Sequence, residues 1–173
     1  LINELFENHD SKSYEIFAFS FQASSENDFF RKKIKRYVKC FYDVEDKSDD
    51  DIVSISRKLK LDIAVDLNGH TQNARTIIFS KRVAPIQINF LGFPGTMGSN
   101  FYDYIIADKF VIPEENKVFY NEKVLYMPNC YLINPSFRRV SNNKISKKSE
   151  GLPEKSFVFC CFNNSYKILP NIH

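Results

Sequence analysis

A chain of 173 residues, 43% hydrophobic and 26% charged, is long enough to bury one good core and has the balance of an ordinary globular domain. Its net charge of +3 comes from interleaved acids and bases, which demands no nucleic-acid partner, and no apolar run approaches the roughly 18 residues of a membrane span. Its 4 cysteines form no CxxC pair and have no histidine beside them, which argues against a zinc site and for reduced thiols in a cytoplasmic protein.

The opening "LINELFENHD" has neither the basic start nor the cleavage site of a signal peptide. It reads as an amphipathic helix already under way, so a piece of a longer protein is expected. "YEIFAFSF" (14–21) gives a strand, and a polar-capped helix is predicted from Ser25 to Val38. The basic run "RKKIKRYVK" inside it has two readings, a phosphate-binding face or the solvated side of the helix. The helical spacing of Phe29, Phe30, Ile34, Tyr37 and Val38 favours the second. "KCFYDV" (39–44) is a second strand, and the acids of "EDKSDDD" suit the positive end of the helix dipole that follows.

"LDIAVDL" (61–67) is nearly all apolar, as a strand buried on both faces should be. "NGHTQ" turns the chain, "NARTIIFSKR" makes a short helix, and Pro85 opens the strand "IQINFLG". "DYIIAD" (103–108) and "KVLYMP" (123–128) add two more strands. Strands alternating with helices predict an α/β, Rossmann-like fold, a mainly parallel sheet with helices on both faces. Residues 136–156 are polar and read as a linker with one weak helical turn. "FVFCCFNNSYKI" then reads as the first strand of a new α/β unit, with Cys160 and Cys161 as small apolar residues on its two faces.

Of the chain's 5 glycines, Gly92, Gly95 and Gly98 fall in "LGFPGTMG", directly after a strand. Glycine serves positive φ or the close approach of backbone to something else, so the stretch is a tight corner or a ligand wall. In open α/β sheets ligands sit beyond the carboxyl ends of strands, where "DLNGHT", "LGFPGTMG" and "FNNSYK" all fall. Asp66 and Asp108, at strand ends, read as loop caps.

The ordered set "DLNGHT", an Arg shortly after it, "APIQ", "LGFPGTMG", "DYIIAD", "YMPN" and "FNNSYKI" resembles the catalytic region of the O-linked N-acetylglucosamine transferases, glycosyltransferases of family forty-one that include the SPINDLY proteins. The resemblance implies a GT-B glycosyltransferase moving N-acetylglucosamine from UDP-N-acetylglucosamine to Ser or Thr hydroxyls of proteins, inverting, with no metal and no cofactor beyond the nucleotide sugar. A relative of SPINDLY type would instead use GDP-fucose. A non-catalytic α/β nucleotide-binding module is the rival class. By the resemblance, residues 1–148 are the amino-terminal lobe, incomplete at its start and with a linker from about 136, and 149–173 begin the second lobe. The implied parent carries tetratricopeptide repeats, and the acid/base groups lie upstream of residue 1.

The resemblance also implies roles. Leu91 and Gly92 would line the sugar and Pro94 would hold the loop, which favours the ligand wall. A Gly92→Val change is then expected to weaken donor binding while sparing the fold. Asn164, Tyr166 and Lys167 would form the donor loop, with Lys167 as the catalytic cation stabilising the diphosphate as charge develops on it. His70 reads equally as an acceptor-side group or a loop residue bonded to backbone, and Arg75 as a phosphate partner or a surface ion pair.

Overall fold

The computed structural model describes residues 2–22, 28–135, 141–162 and 164. They fall in two units, 1–136 and 137–173. The first begins with α1 (Asn3–Asn8), then β1 (Phe17–Ser20), α2 (Phe29–Tyr37) and β2 (Cys40–Asp43). β1 and β2 pair in parallel, with Phe17 opposite Cys40. Asp28 caps α2 by accepting hydrogen bonds from the N–H groups of Phe30 and Arg31, and no described residue of this basic helix is buried. The solvated-face reading of residues 31–39 therefore fits the structure.

α3 (Asp49–Lys58) follows, opened by a capping box in which the Ser48 and Asp51 side chains each serve the other's backbone N–H. β3 (Ile63–Asp66), the single-turn α4 (Ile77–Ser80), β4 (Ile86–Phe90), β5 (Tyr104–Ala107), a 3-10 helix (Glu114–Phe119) and β6 (Lys123–Tyr126) complete the unit. The four later strands form an all-parallel sheet in the order β3-β4-β5-β6. The strands thus make an α/β, Rossmann-like arrangement in two parallel sheets, one of two strands and one of four. A common core joins them: Ile52 and Val53 of α3 and Ile78 and Phe79 of α4 pack with Ala64, Val44 and Tyr102, and Phe19 and Tyr42 lean on the same cluster.

The strand register sorts the larger sheet into two faces. Asp66, Asn89, Ile105 and Val124 share one, together with Ala64, Gln87, Ala107 and Tyr126. This inner face carries most of the core, while Ile88 and Phe90 are buried on the other. On that other face, Ile63 and Val65 are 49% and 45% exposed and Leu125 is 41% exposed. β3, predicted to be buried on both faces, is buried on one in this chain. α3 and α4 pack against the face that carries Ala64.

Gln87 gives "APIQ" its structural meaning. Fully buried, it accepts from the Val83 N–H at 2.9 Å and donates to the carbonyls of Phe79 at 2.8 Å and Phe101 at 2.5 Å. One side chain thereby ties the end of α4 to the entry of β5. Asp103 supports it, accepting from the Gln87 N–H and, through both carboxylate oxygens, from Nη2 of Arg82.

In the second unit, residues 147–151 form the one turn expected of the linker, closed by the Leu152 N–H bonding to the Lys147 carbonyl and by Gly151 at φ 68°. Residues 157–162, predicted as a strand, carry no strand, and Phe157, Phe159, Phe162, Cys160 and Cys161 are exposed. A strand takes its hydrogen bonds from neighbours, and no described residue pairs with this segment.

Candidate functional site

Two loops leave the carboxyl ends of β3 and β4 and meet. The first is set by Asp66, which is buried. Its Oδ1 accepts from the N–H groups of Asn68 at 2.9 Å and Gly69 at 3.2 Å, and its Oδ2 accepts from the Tyr102 hydroxyl at 2.5 Å. Burial, and next the hydrogen bond to Asp66, pushes the Tyr102 phenol well above its ordinary pKa, so it stays a donor. Gly69 sits at φ +57°, a conformation other side chains rarely adopt. Asp108 plays the same part after β5, accepting from the N–H groups of Phe110, Val111 and Tyr131. Both aspartates are loop caps, as their positions suggested.

The second loop starts with strain. Leu91 holds φ at 75°, in the left-handed region that disfavours a branched side chain. Gly92 follows, and a Cβ on it would fall 2.2 Å from the Leu67 carbonyl oxygen and 2.6 Å from that of Asn68. Its lack of a side chain is therefore required by the neighbouring loop. The other side of Gly92 is open, since the residue is exposed. The expectation that a bulky residue here would spare the fold is corrected by this contact: all three of the nearest atoms are backbone, which no rotamer change can clear.

From Gly92 the chain runs back over the inner face of the sheet. Asn89, near the end of β4, donates through Nδ2 to the carbonyls of Phe93 at 3.0 Å and Gly95 at 3.2 Å. The Tyr120 hydroxyl donates to the Pro94 carbonyl at 3.1 Å. Three consecutive carbonyls are thus held by side chains beneath them. Glu122, at the entry of β6, accepts from the Met97 N–H at 2.6 Å and from the Thr96 hydroxyl at 2.8 Å. His70, exposed, lies edge-on to the Phe93 ring with centroids 5.4 Å apart, and its Nε2 is 3.3 Å from the Met97 carbonyl oxygen.

The structure therefore brings Leu91, Gly92, Pro94 and His70 into one wall. It does not bring Arg75 there. The Arg75 guanidinium donates to Asp49 at 2.7 Å, to the Val44 carbonyl at 3.1 Å and to the Lys47 carbonyl at 2.8 Å, and stacks over the Phe21 ring. Of its two readings the geometry favours the ion pair, a brace on the start of α3. Asn164 belongs to the second unit, and Tyr166 and Lys167 lie outside the described residues. Sequence reasoning missed Asn89, Tyr120 and Glu122. For Glu122 there was a signal: alternation puts it on the same face as Val124 and Tyr126, which bury toward the core.

Such a wall offers a preorganised backbone surface with a histidine at its rim. Among the described residues no three His, Cys, Asp or Glu side chains group to hold a metal ion, and no helix is long and apolar enough to cross a membrane. A family model, "Glycosyl transferase family 41", matches residues 1–142. The chain belongs to this family. A relative in Arabidopsis thaliana, the probable UDP-N-acetylglucosamine--peptide N-acetylglucosaminyltransferase SEC, is 36% identical over 99% of the chain, which spans 18% of that protein. The UDP-N-acetylglucosamine--peptide N-acetylglucosaminyltransferase of Caenorhabditis elegans is 33% identical over 72% of the chain and 11% of its own length. In three dimensions this family 41 chain is similar to a mutant O-GlcNAc transferase of Thermobaculum terrenum, with a TM-score of 0.74 and 25% identity over 83% of this chain and 28% of that one. The chain thus spans less than a fifth of the length of these curated relatives.

Proposed function

We propose that this chain is the amino-terminal lobe, residues 1–148, and the beginning of the second lobe, residues 149–173, of a GT-B glycosyltransferase. The proposed reaction transfers N-acetylglucosamine from UDP-N-acetylglucosamine to Ser or Thr hydroxyls of proteins, with inversion and without a metal. The observation that carries the reading is the held segment 91–98: three inward-bonded carbonyls and a strained Leu91 fix Leu91, Gly92 and Pro94 as a wall at the carboxyl end of β4. That is where an open α/β sheet binds its ligand, and the names of the relatives supply the sugar. In this reading Leu91 and Gly92 meet the hexose and His70 stands at the acceptor side. Arg75 braces the lobe from a distance.

The departing diphosphate gains negative charge as the sugar–phosphate bond breaks. A fixed cation that meets it lowers the barrier, because the interaction strengthens in the transition state. Lys167 is assigned that role, with Asn164 and Tyr166 beside it on the donor. The intact protein is proposed to act in the cytoplasm and to carry tetratricopeptide repeats that present the acceptor protein.

The test is Lys167→Ala in the full-length protein, assayed with UDP-N-acetylglucosamine and a protein acceptor. The expected loss in kcat is on the order of a hundred- to a thousandfold, with the melting temperature unchanged and KM moved less. Lys167→Arg should recover only part of the rate, since a planar guanidinium meets phosphate differently from a compact ammonium. A Lys167→Ala rate within a few-fold of the parent removes the residue from the mechanism. Turnover of GDP-fucose in place of UDP-N-acetylglucosamine would overturn the choice of sugar.

A further inference from the structure

We propose that Glu122 is a positioning residue for the sugar-side wall, a role that rests on the function proposed above. Glu122 is only 4% exposed, and its carboxylate is directed entirely at the 91–98 segment: Oε1 accepts from the Met97 N–H and Oε2 from the Thr96 hydroxyl. The same Thr96 oxygen accepts from the N–H groups of Gly98 at 3.1 Å and Asn121 at 3.4 Å. Carboxylate, hydroxyl and three amides thus form one set that joins the far half of the segment to the entry of β6.

A buried carboxylate is an expensive way to fill space. What it supplies is direction, because each of its two oxygens holds one donor of the segment, Oε1 the Met97 N–H and Oε2 the Thr96 hydroxyl. Direction is what the segment needs. Leu91 at φ 75° is strained and keeps that conformation only while its flanks are fixed. The upstream flank is fixed by the ladder of β4, where Phe90 pairs with Ile106. The downstream flank is fixed by Asn89, Tyr120 and Glu122, and Glu122 holds the half farthest from β4. Without it the segment keeps only the bonds of Asn89 and Tyr120 to residues 93–95, and the loosened far half lets the backbone at Leu91 and Gly92 sample arrangements other than the one it offers to a ligand.

The consequence is a specific kinetic pattern. A loosened segment populates the binding-competent arrangement only part of the time, and apparent affinity falls by that fraction while the bound complex reacts as before. In the full-length protein, Glu122→Ala should raise the KM for UDP-N-acetylglucosamine about tenfold, with kcat within about twofold of the parent. Glu122→Gln, which keeps an acceptor for the Met97 N–H, should show a smaller rise. Thr96→Val should match Glu122→Ala, Thr96→Ser should behave as the parent, and the double change should add little to either single one.

A lower melting temperature with KM unchanged would make Glu122 a structural residue and overturn the proposal, as would a loss confined to kcat. Should Glu122→Ala fail to fold, Glu122→Gln and Thr96→Val decide the matter by the same KM comparison. An inactive parent would refute the proposed function and leave the tether to be read by amide hydrogen exchange. Glu122→Gln should then speed exchange in residues 92–98 about tenfold and leave residues 63–66 unchanged; equal protection in variant and parent would overturn the tether itself.

Discussion

Replacing Gly92 by alanine adds one methyl group where two backbones already touch. The new carbon would lie 2.2 Å from the Leu67 carbonyl oxygen, 2.6 Å from that of Asn68 and 2.9 Å from the Asn68 Cα, against ordinary contacts that begin near 3.4 Å. Backbone cannot step aside by changing rotamer, and the 67–69 loop is pinned by the bonds of Asp66 to the N–H groups of Asn68 and Gly69. One of the two loops must move by about an ångström. Overpacking of this kind costs typically 1–3 kcal/mol, and the absence of any side-chain escape puts Gly92→Ala at the upper end, about 3 kcal/mol. For a unit of this size that lowers the melting temperature by roughly 10 °C. Gly98→Ala is the internal control: its Cβ would meet nothing within 4 Å, and only its φ of +61° opposes the change. That strain is about 1–2 kcal/mol and should shift melting by roughly half as much. Thermal melts of the 173-residue chain, followed by circular dichroism, compare the two. A Gly92→Ala melting temperature no lower than that of Gly98→Ala would show that the two loops do not touch in solution and refute the reasoning.

Arg75→Ala removes an ion pair and two hydrogen bonds to carbonyls, and should lower stability by about 1–3 kcal/mol while leaving the donor KM of the full-length protein unaltered. A raised KM at unchanged melting temperature would return Arg75 to the donor site. Asp108 is held below the ordinary aspartate pKa of 3.8, chiefly by the Tyr131 N–H and then by those of Val111 and Phe110. A carboxyl lowered by folding contributes its full stability above the unfolded pKa and loses it as pH falls through the folded one. Asp108→Asn should therefore destabilise the chain at pH 7 and flatten the decline of stability below about pH 4. Denaturant titrations from pH 2.5 to 7 check it, and parallel acid limbs in variant and parent would remove Asp108 from that decline.

What the sequence determined by itself is the order of elements and the end of the sheet that carries the site. Alternating apolar runs and capped helices require parallel strands, because each strand returns through a crossover. "DLNGHT" and "LGFPGTMG" must then leave the same edge. Local chemistry was equally readable at Asp66 and Asp108, which cap the segments that follow them within three residues of their own position. Tertiary structure alone decided contacts between residues far apart in the chain. Nothing near Gly92 announces that Leu67 will press on it, nothing near Arg75 selects Asp49, and Glu122 meets Met97 from 25 positions away. The same holds for the faces of β3, whose Ile63 and Val65 are apolar but exposed, since burial depends on which other segments arrive. Hydrogen-bond caps and periodicity act over a few residues and are written in the sequence. Packing acts over whatever distance the fold closes, and is written only in the fold.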